Sequence, residues 1–154
     1  MLASGIETKV MEILTEATIT SVSTYVVKGI HDFLLDWDET EEYPRIVVAC
    51  EESDPDSMQI GGASTKEYTV NIFILSYDTI KEDCINARDT VLERVEMALR
   101  ANQRLDNLAD NTNTERVYGS KVGKARFSKS GMEGNYHSVA WQQFFVNTDR
   151  NIPI

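Results

Sequence analysis

The sequence has few cysteines, which cross-link chains, few prolines, which interrupt helices and strands, and few histidines, which often act in catalysis. It contains 2 cysteines, 3 prolines and 2 histidines. The scarcity of proline and a hydrophobic content of 42% argue for a folded chain rather than a disordered one. Cys50 and Cys84 fall in a predicted strand and helix, so we expect buried free thiols in a reducing compartment. Neither His31 nor His137 has a cysteine or a second histidine at metal-ligand spacing, which argues against a zinc site.

Long apolar runs and an excess of basic residues are also missing. No run approaches the roughly 20 residues of a bilayer span, so we predict no membrane segment. The start, MLASGIETKV, carries an acidic residue and no hydrophobic segment, and is not expected to be a signal peptide. A formal net charge of -10 argues against a sequence-independent DNA clamp, because phosphate binding needs a basic surface.

Catalytic motifs are absent as well. There is no G-x-S-x-G nucleophile elbow, and GGASTK (61–66) lacks the spacing of a phosphate-binding loop. Residues 51–65 read as a long acidic loop, which lacks the closing Glu of an EF-hand. We therefore predict no enzyme activity, no catalytic residues, no cofactor and no metal. A small-molecule or metal-binding enzyme using loop 51–65 is kept as an alternative.

A strand followed at once by a long helix is the clearest pattern. Alternation in Tyr68–Leu75 gives one apolar face, and the other face becomes apolar halfway along, as in a central strand. The period changes at Asp78, and a helix is predicted over about 79–101, with Thr79 and Glu82 as a capping box. Its apolar stripe comprises Ile80, Cys84, Ala87, Val91, Val95 and Ala98.

The remaining elements complete a single predicted α+β domain spanning residues 1–154. An N-terminal helix is expected over about 4–16, with Ser4 and Glu7 as a second capping box. Residues 18–28 favour a strand by composition, although some keep helical spacing. The sequence predicts further strands over 46–50, 116–127 and 136–147, and a free or partner-docked tail over 147–154. The expected sheet is mostly antiparallel or mixed, is packed against both helices, and carries a protruding hairpin.

Charge is segregated along the chain. Residues 32–56 hold ten acidic residues and one basic residue, Arg45, whereas residues 116–129 hold five cations and no acid. We take these as the two sides of a candidate oligomer interface. The basic side is Arg116, Lys121, Lys124, Arg126 and Lys129; the acidic side is Asp36, Asp38, Glu39, Glu41, Glu42, Glu51, Glu52, Asp54 and Asp56.

Three interpretations of this segregation stay open. The first is ordinary variation of surface charge. The second is a head-to-tail homo-oligomer, in which the basic hairpin of one subunit meets the acidic loops of the next and the contacts close into a ring. The third is a nucleic-acid contact by the hairpin, although few aromatic residues interleave its cations.

Four segments together suggest a family. They are YPRIVV (43–48) after the acidic connection, EYTVNIFIL (67–75), RVEMALRAN (94–102) and HSVAWQQFFVNT (137–148). In order and spacing they resemble the tail terminator, or tail completion, proteins of tailed bacteriophages. The resemblance covers the chain from about Tyr43 onward.

The resemblance implies a structural virion protein. Such proteins form a ring, expected to be a homohexamer, that caps the head-proximal end of the tail tube and ends its polymerisation. The implied partners are further copies of the chain, the tail tube protein, and sheath or neck and head-completion proteins. Genomic DNA is expected to pass through the lumen without specific binding, after assembly of the virion in the host cytoplasm. A neck connector or stopper, or another tube or baseplate subunit, is the alternative.

Overall fold

The helices and strands form one α+β domain, built on a mixed sheet. A computed structural model describes residues 2–18, 25–28, 44–52, 57–58, 63–109, 115–127 and 136–151. The elements in chain order are α1 (Ala3–Thr18), β1 (Tyr25–Lys28), β2 (Arg45–Glu52), β3 (Ser57–Met58), β4 (Ala63–Asp78), α2 (Lys81–Ala101), a 3-10 turn (Leu105–Asn107), β5 (Glu115–Phe127) and β6 (Tyr136–Asn151). The predicted fold class and both helices are confirmed. None of the helices in the described ranges is long and apolar enough to cross a membrane.

The sheet places β4 at its centre and β5 at one edge. The strand order is β1-β2-β4-β6-β5, and β3 pairs with β4 beside this path. The β1–β2 pair is parallel, whereas β2, β4, β6 and β5 pair antiparallel in succession. Among the described strands, β5 therefore has a neighbour along one side only. On its other side the Val117 N–H donates to the Leu108 carbonyl at 2.9 Å, and Ala109 forms an isolated bridge to Arg116.

Both helices pack on the same face of the sheet. Alternate residues of β4, from Tyr68 through Val70, Ile72 and Ile74, are buried against them, as the two-residue period predicted. In α2 the buried residues are Cys84, Arg88, Val91, Leu92, Val95, Ala98 and Leu99. The stripe prediction is thus largely confirmed. Ile80 was wrongly included, since it precedes the helix and is 55% exposed.

Both predicted capping boxes are wrong. Helix α2 begins at Lys81, and neither Thr79 nor Glu82 makes the expected cap; instead the Asp78 carboxylate accepts the backbone N–H of Ile80 at 3.0 Å. In α1, Ser4 lies inside the helix. Glu7 is buried there, and its Oε2 accepts the Cys50 backbone N–H of β2 at 3.0 Å. A contact to a distant strand outcompetes a local cap that sequence spacing alone suggests.

Two connecting segments contain more strand than predicted. Loop 51–65 is shorter than predicted, because residues 51–52 belong to β2, Ser57–Met58 forms β3, and β4 begins at Ala63. The tail predicted over 147–154 is wrong up to Asn151, since β6 continues to that residue and pairs with β4 and β5; residues 152–154 lie outside the described residues. Within 18–28, Thr18 ends α1 and Tyr25–Lys28 is the predicted strand; residues 19–24 lie outside the described residues.

The two thiols differ in burial. Both cysteines are free, with Cys84 buried, as predicted, and Cys50 half-buried. The Cys84 Sγ donates to the carbonyl oxygens of Tyr136 at 3.3 Å and Ser76 at 3.5 Å. Burial raises the pKa of the Cys84 thiol, which keeps it protonated and weakly nucleophilic.

A left-handed turn connects α2 to β5. Leu105, Asp106 and Asn107 have positive φ angles of 48°, 55° and 55°. Such a backbone costs a non-glycine residue roughly 1–2 kcal/mol. The turn is held by the fully buried Leu105 side chain and by a 2.6 Å ion pair between Lys9 of α1 and Asp106. The hydrogen bond with Asp106 raises the pKa of Lys9.

Candidate assembly interface

Four of the five predicted cations lie on the edge strand β5. Arg116, Lys121, Lys124 and Arg126 are all exposed. Lys129 lies outside the described residues. The described part of the predicted hairpin is the edge of the main sheet, since β5 pairs with β6 from Glu115 opposite Arg150 to Phe127 opposite Ala140. The cations are therefore carried by a rigid, hydrogen-bonded backbone.

Two register shifts determine which way the side chains of β5 point. One lies between Val117 and Gly119 and the other between Val122 and Ala125. Lys124 falls within the second shift and has no register partner in β6. Beneath it, the buried Gln142 side chain donates from Nε2 to the Gly123 carbonyl at 2.7 Å. A backbone group freed by the bulge is thus satisfied by a side chain of the neighbouring strand.

The lack of a side chain at Gly123 allows Phe145 to pack against β5. A Cβ at this position would lie 2.8 Å from Phe145 Cε2 and 3.1 Å from the Gln143 carbonyl oxygen. At Gly119, on the same strand, a Cβ would meet nothing within 4 Å. Gly119 therefore provides a matched control for substitutions at Gly123.

We expect Gly123→Ala to lower the free energy of unfolding by about 1–3 kcal/mol, because the added methyl group forces Phe145 or the backbone to move. Gly119→Ala should change it by less than about 0.5 kcal/mol. Urea denaturation of both variants measures the difference. Equal effects at the two positions would contradict the packing described here.

Arg126 stands over an aromatic side chain of the next strand. Its guanidinium carbon is 5.2 Å from the centroid of the Trp141 ring, its register partner in β6. Trp141 stacks in turn on Phe73 of β4, with centroids 5.7 Å apart and an interplanar angle of 18°. The indole N–H of Trp141 donates to Asn71 Oδ1 at 3.0 Å. These residues form a cation–π and stacking series across three strands, on the face opposite the helices.

Lys121, Lys124 and Arg126 have no carboxylate partner within 4 Å in the described ranges. The ion pairs found there join Lys9 to Glu12 and Asp106, and Arg88 to Asp89. This chain has a net charge of -10 and therefore a surplus of carboxylates. Three cations on one strand are nevertheless left unneutralised. They therefore form a charged surface and are not part of an ion-pair network within the subunit.

The acidic side of the predicted interface is only partly described. Glu51 and Glu52 lie at the end of β2, where their side chains are outside the described residues, as are Asp36, Asp38, Glu39, Glu41, Glu42, Asp54 and Asp56. The register places Glu51, Thr69, Phe145 and Lys121 in one row across the sheet. Three strand spacings, about 14 Å, therefore separate Glu51 from Lys121. The two positions are therefore not neighbours in the sheet of one subunit.

Two exposed aromatic residues beside the cations were missed from the sequence. Tyr118, at the first register shift, is 48% exposed, and Phe127, at the end of β5, is 55% exposed. Tyrosine, tryptophan and arginine dominate the binding energy of protein interfaces. Alternation did not reveal these residues, because the two bulges break the two-residue period of the strand.

A buried arginine of α2 supports the same end of β5. Arg88 is 9% exposed, and its guanidinium carbon is 4.6 Å from the Phe127 centroid. Its Nη1 donates to Ser138 Oγ at 2.6 Å, while Nε and Nη2 contact Asp89 Oδ1 at 3.0 and 2.9 Å. The spacing of Arg88 from Cys84 and Val91 places a charged residue in the apolar stripe, and that was the signal available in the sequence.

The comparisons with known proteins leave this surface to be interpreted from its chemistry. No protein-family model matches the sequence, and no curated protein matches it as a relative. In the part of the chain that the structure describes, no group of three or more His, Cys, Asp or Glu side chains is placed to hold a metal ion. The feature with the most definite chemistry is thus the basic, aromatic surface of β5, hereafter the β5 surface: Arg116, Tyr118, Lys121, Lys124, Arg126 and Phe127.

Proposed function

We propose that this chain is the subunit of a ring of the tail terminator type, which caps a bacteriophage tail tube and ends its polymerisation. The observation that carries the proposal is the three cations of the β5 surface, Lys121, Lys124 and Arg126, which have no carboxylate partner among the described residues of a strongly acidic chain. A heterologous contact between that surface and the acidic side of the next copy repeats around a ring if the rotation closes. The α+β fold agrees with the fold expected from the resemblance.

The distribution of charge along the chain suits repeated, specific association between its copies. Charge complementarity between two parts of one chain speeds encounter and fixes the orientation of neighbouring copies. Tyr118 supplies exposed apolar area on the strand that carries these cations, as interface anchors do. Acidic surface elsewhere on the ring would keep DNA from adhering while it passes through the lumen.

The proposal is tested by the mass and shape of the assembled protein. We expect sedimentation velocity to give a discrete oligomer, and negative-stain images to show rings of uniform size. Adding the chain to a polymerising tail tube protein from the same genome should shorten the tubes and leave rings at one end. A strict monomer at high concentration, both alone and with tube protein, would overturn the proposal.

A connector or stopper in the neck of the particle uses the same kind of ring. The location of the ring separates the two roles. Labelled electron microscopy of assembled particles should place a terminator against the last ring of tail tube subunits. A label on the head side of the neck would assign the connector role instead.

A further inference from the structure

We infer that Arg126, seated over Trp141, is the carboxylate-binding centre of the contact between neighbouring copies. Its ligand is the acidic residues on either side of β2 in the adjacent copy, in 36–42 and 51–56. This inference rests on the proposed ring function and names the residue and the chemistry on which the ring depends.

The stack holds the Arg126 guanidinium in place before a partner arrives. Trp141 is fixed on one side by its stack on Phe73 and at its edge by the hydrogen bond from its Nε1 to Asn71. Arg126 contacts the face of this ring through the positive charge of its guanidinium. An arginine ordered in advance loses less side-chain entropy when it binds than a free surface lysine does.

The N–H groups of Arg126 are suited to an acidic ligand. A guanidinium has five N–H donors and no acceptor, and stacking on a ring uses its charge rather than those donors. Within the described residues, no carboxylate lies within 4 Å of Arg126. Its fork geometry matches the two oxygens of a carboxylate, which it binds bidentately.

Charge identifies the ligand as another copy of this chain. Residues 36–42 and 51–56, on either side of β2, carry nine acidic residues and no cation. Lys121 and Lys124 lie on the same strand as Arg126, so an acidic segment laid along β5 meets three cations in succession. The register shifts and lysines of β5 disfavour addition of a further strand to this edge, so the contact is made by side chains.

The decisive variant is Arg126→Lys, which keeps the charge but removes the planar fork. We expect it to weaken assembly at least about tenfold, as Arg126→Gln does, because a lysine cannot bind a carboxylate bidentately. Lys124→Gln is the matched control, since it removes one charge from an exposed position of the same strand. Its effect should be under about threefold, as is typical of a solvent-exposed ion pair.

Sedimentation velocity across a concentration series measures these changes, and the thermal unfolding temperature of each diluted variant shows that the fold is retained. Arg126→Lys assembling as well as the wild type would overturn the inference while leaving the ring function in place. Equal losses for Arg126→Gln and Lys124→Gln would also overturn it. Failure of the wild type itself to assemble would overturn the ring function and the inference together.

A mixing experiment tests the direction of the contact. Arg126→Gln keeps its acidic side, and a second variant with Asp36, Asp38, Glu39, Glu41 and Glu42 changed to amides keeps its basic side. Neither should form rings alone, whereas their equimolar mixture should stop at dimers. If Arg126 instead serves nucleic acid, Arg126→Lys will leave the rings intact and reduce their retention of labelled single-stranded DNA, which overturns the inference.

Discussion

Reversing the charges of Lys121, Lys124 and Arg126 together, each to Glu, is expected to abolish ring formation. The three cations are exposed, lie on one strand and have no ion-pair partner among the described residues. After reversal, the strand presents carboxylates to an acidic partner, and like charges brought together at an interface cost several kcal/mol. Since 1.4 kcal/mol corresponds to a factor of ten, the loss in assembly should exceed about a hundredfold.

The control must carry the same net charge, because the reversal makes an already acidic subunit more acidic. Lys81, Arg100 and Arg104 are three exposed cations on or next to α2. Changing them to Glu alters the net charge by the same amount and leaves the β5 surface intact. Sedimentation velocity and negative-stain counts should show rings for this control and monomers for the β5 variant. Equal loss in both would mean that overall repulsion, rather than the β5 surface, governs assembly.

Salt gives an independent measure of the same contact. Screening shortens the range of electrostatic interactions to about 8 Å at physiological ionic strength and about 3 Å at 1 M. Rings held through an exposed cationic strand should therefore dissociate as sodium chloride is raised, and variants with fewer cations on β5 should dissociate at lower salt. Assembly that is indifferent to salt would assign the contact to apolar residues such as Tyr118 and Phe127.

The parts of the fold that the sequence predicts are those set by local periodicity. In Tyr68–Leu75 and in α2, each residue's burial follows from its own position in a repeat of two or 3.6 residues, so no distant information is needed. Helix caps depend instead on competition between local and distant hydrogen-bond partners. Glu7 is used by the Cys50 N–H of β2 rather than by its own helix, and spacing along the chain cannot reveal that partner.

Only part of the interface chemistry can be predicted from the sequence, because the rest also depends on partners that are distant along the chain. The cluster of cations in 116–129 is visible as composition, and the structure places four of the five on one exposed strand. The stack of Arg126 on Trp141 and Phe73 requires the register of three strands, which two bulges displace from simple alternation. Tyr118 lies at the first of those shifts and Phe127 at the end of the strand, so their exposure is known only once the pairing is known.

The left-handed turn after α2 allows a second large effect to be predicted, on stability. Leu105 is fully buried, and replacement by Ala should lower the free energy of unfolding by about 2–5 kcal/mol through lost packing and a cavity. That is a large share of the 5–15 kcal/mol typical of a domain. Leu105→Gly loses slightly more side chain, yet it relieves a φ of 48°, which costs a non-glycine residue roughly 1–2 kcal/mol.

The test is therefore which of the two variants, Leu105→Ala or Leu105→Gly, has the higher free energy of unfolding. At an ordinary helical position, glycine is about 1 kcal/mol worse than alanine. Leu92, which is also buried and lies in the interior of α2, provides this reference. We expect Leu92→Gly to be less stable than Leu92→Ala by about that amount, whereas Leu105→Gly should be at least as stable as Leu105→Ala. Urea denaturation of the four variants measures both differences. The same order at both leucines would show that the turn is not held in a left-handed conformation by the burial of Leu105.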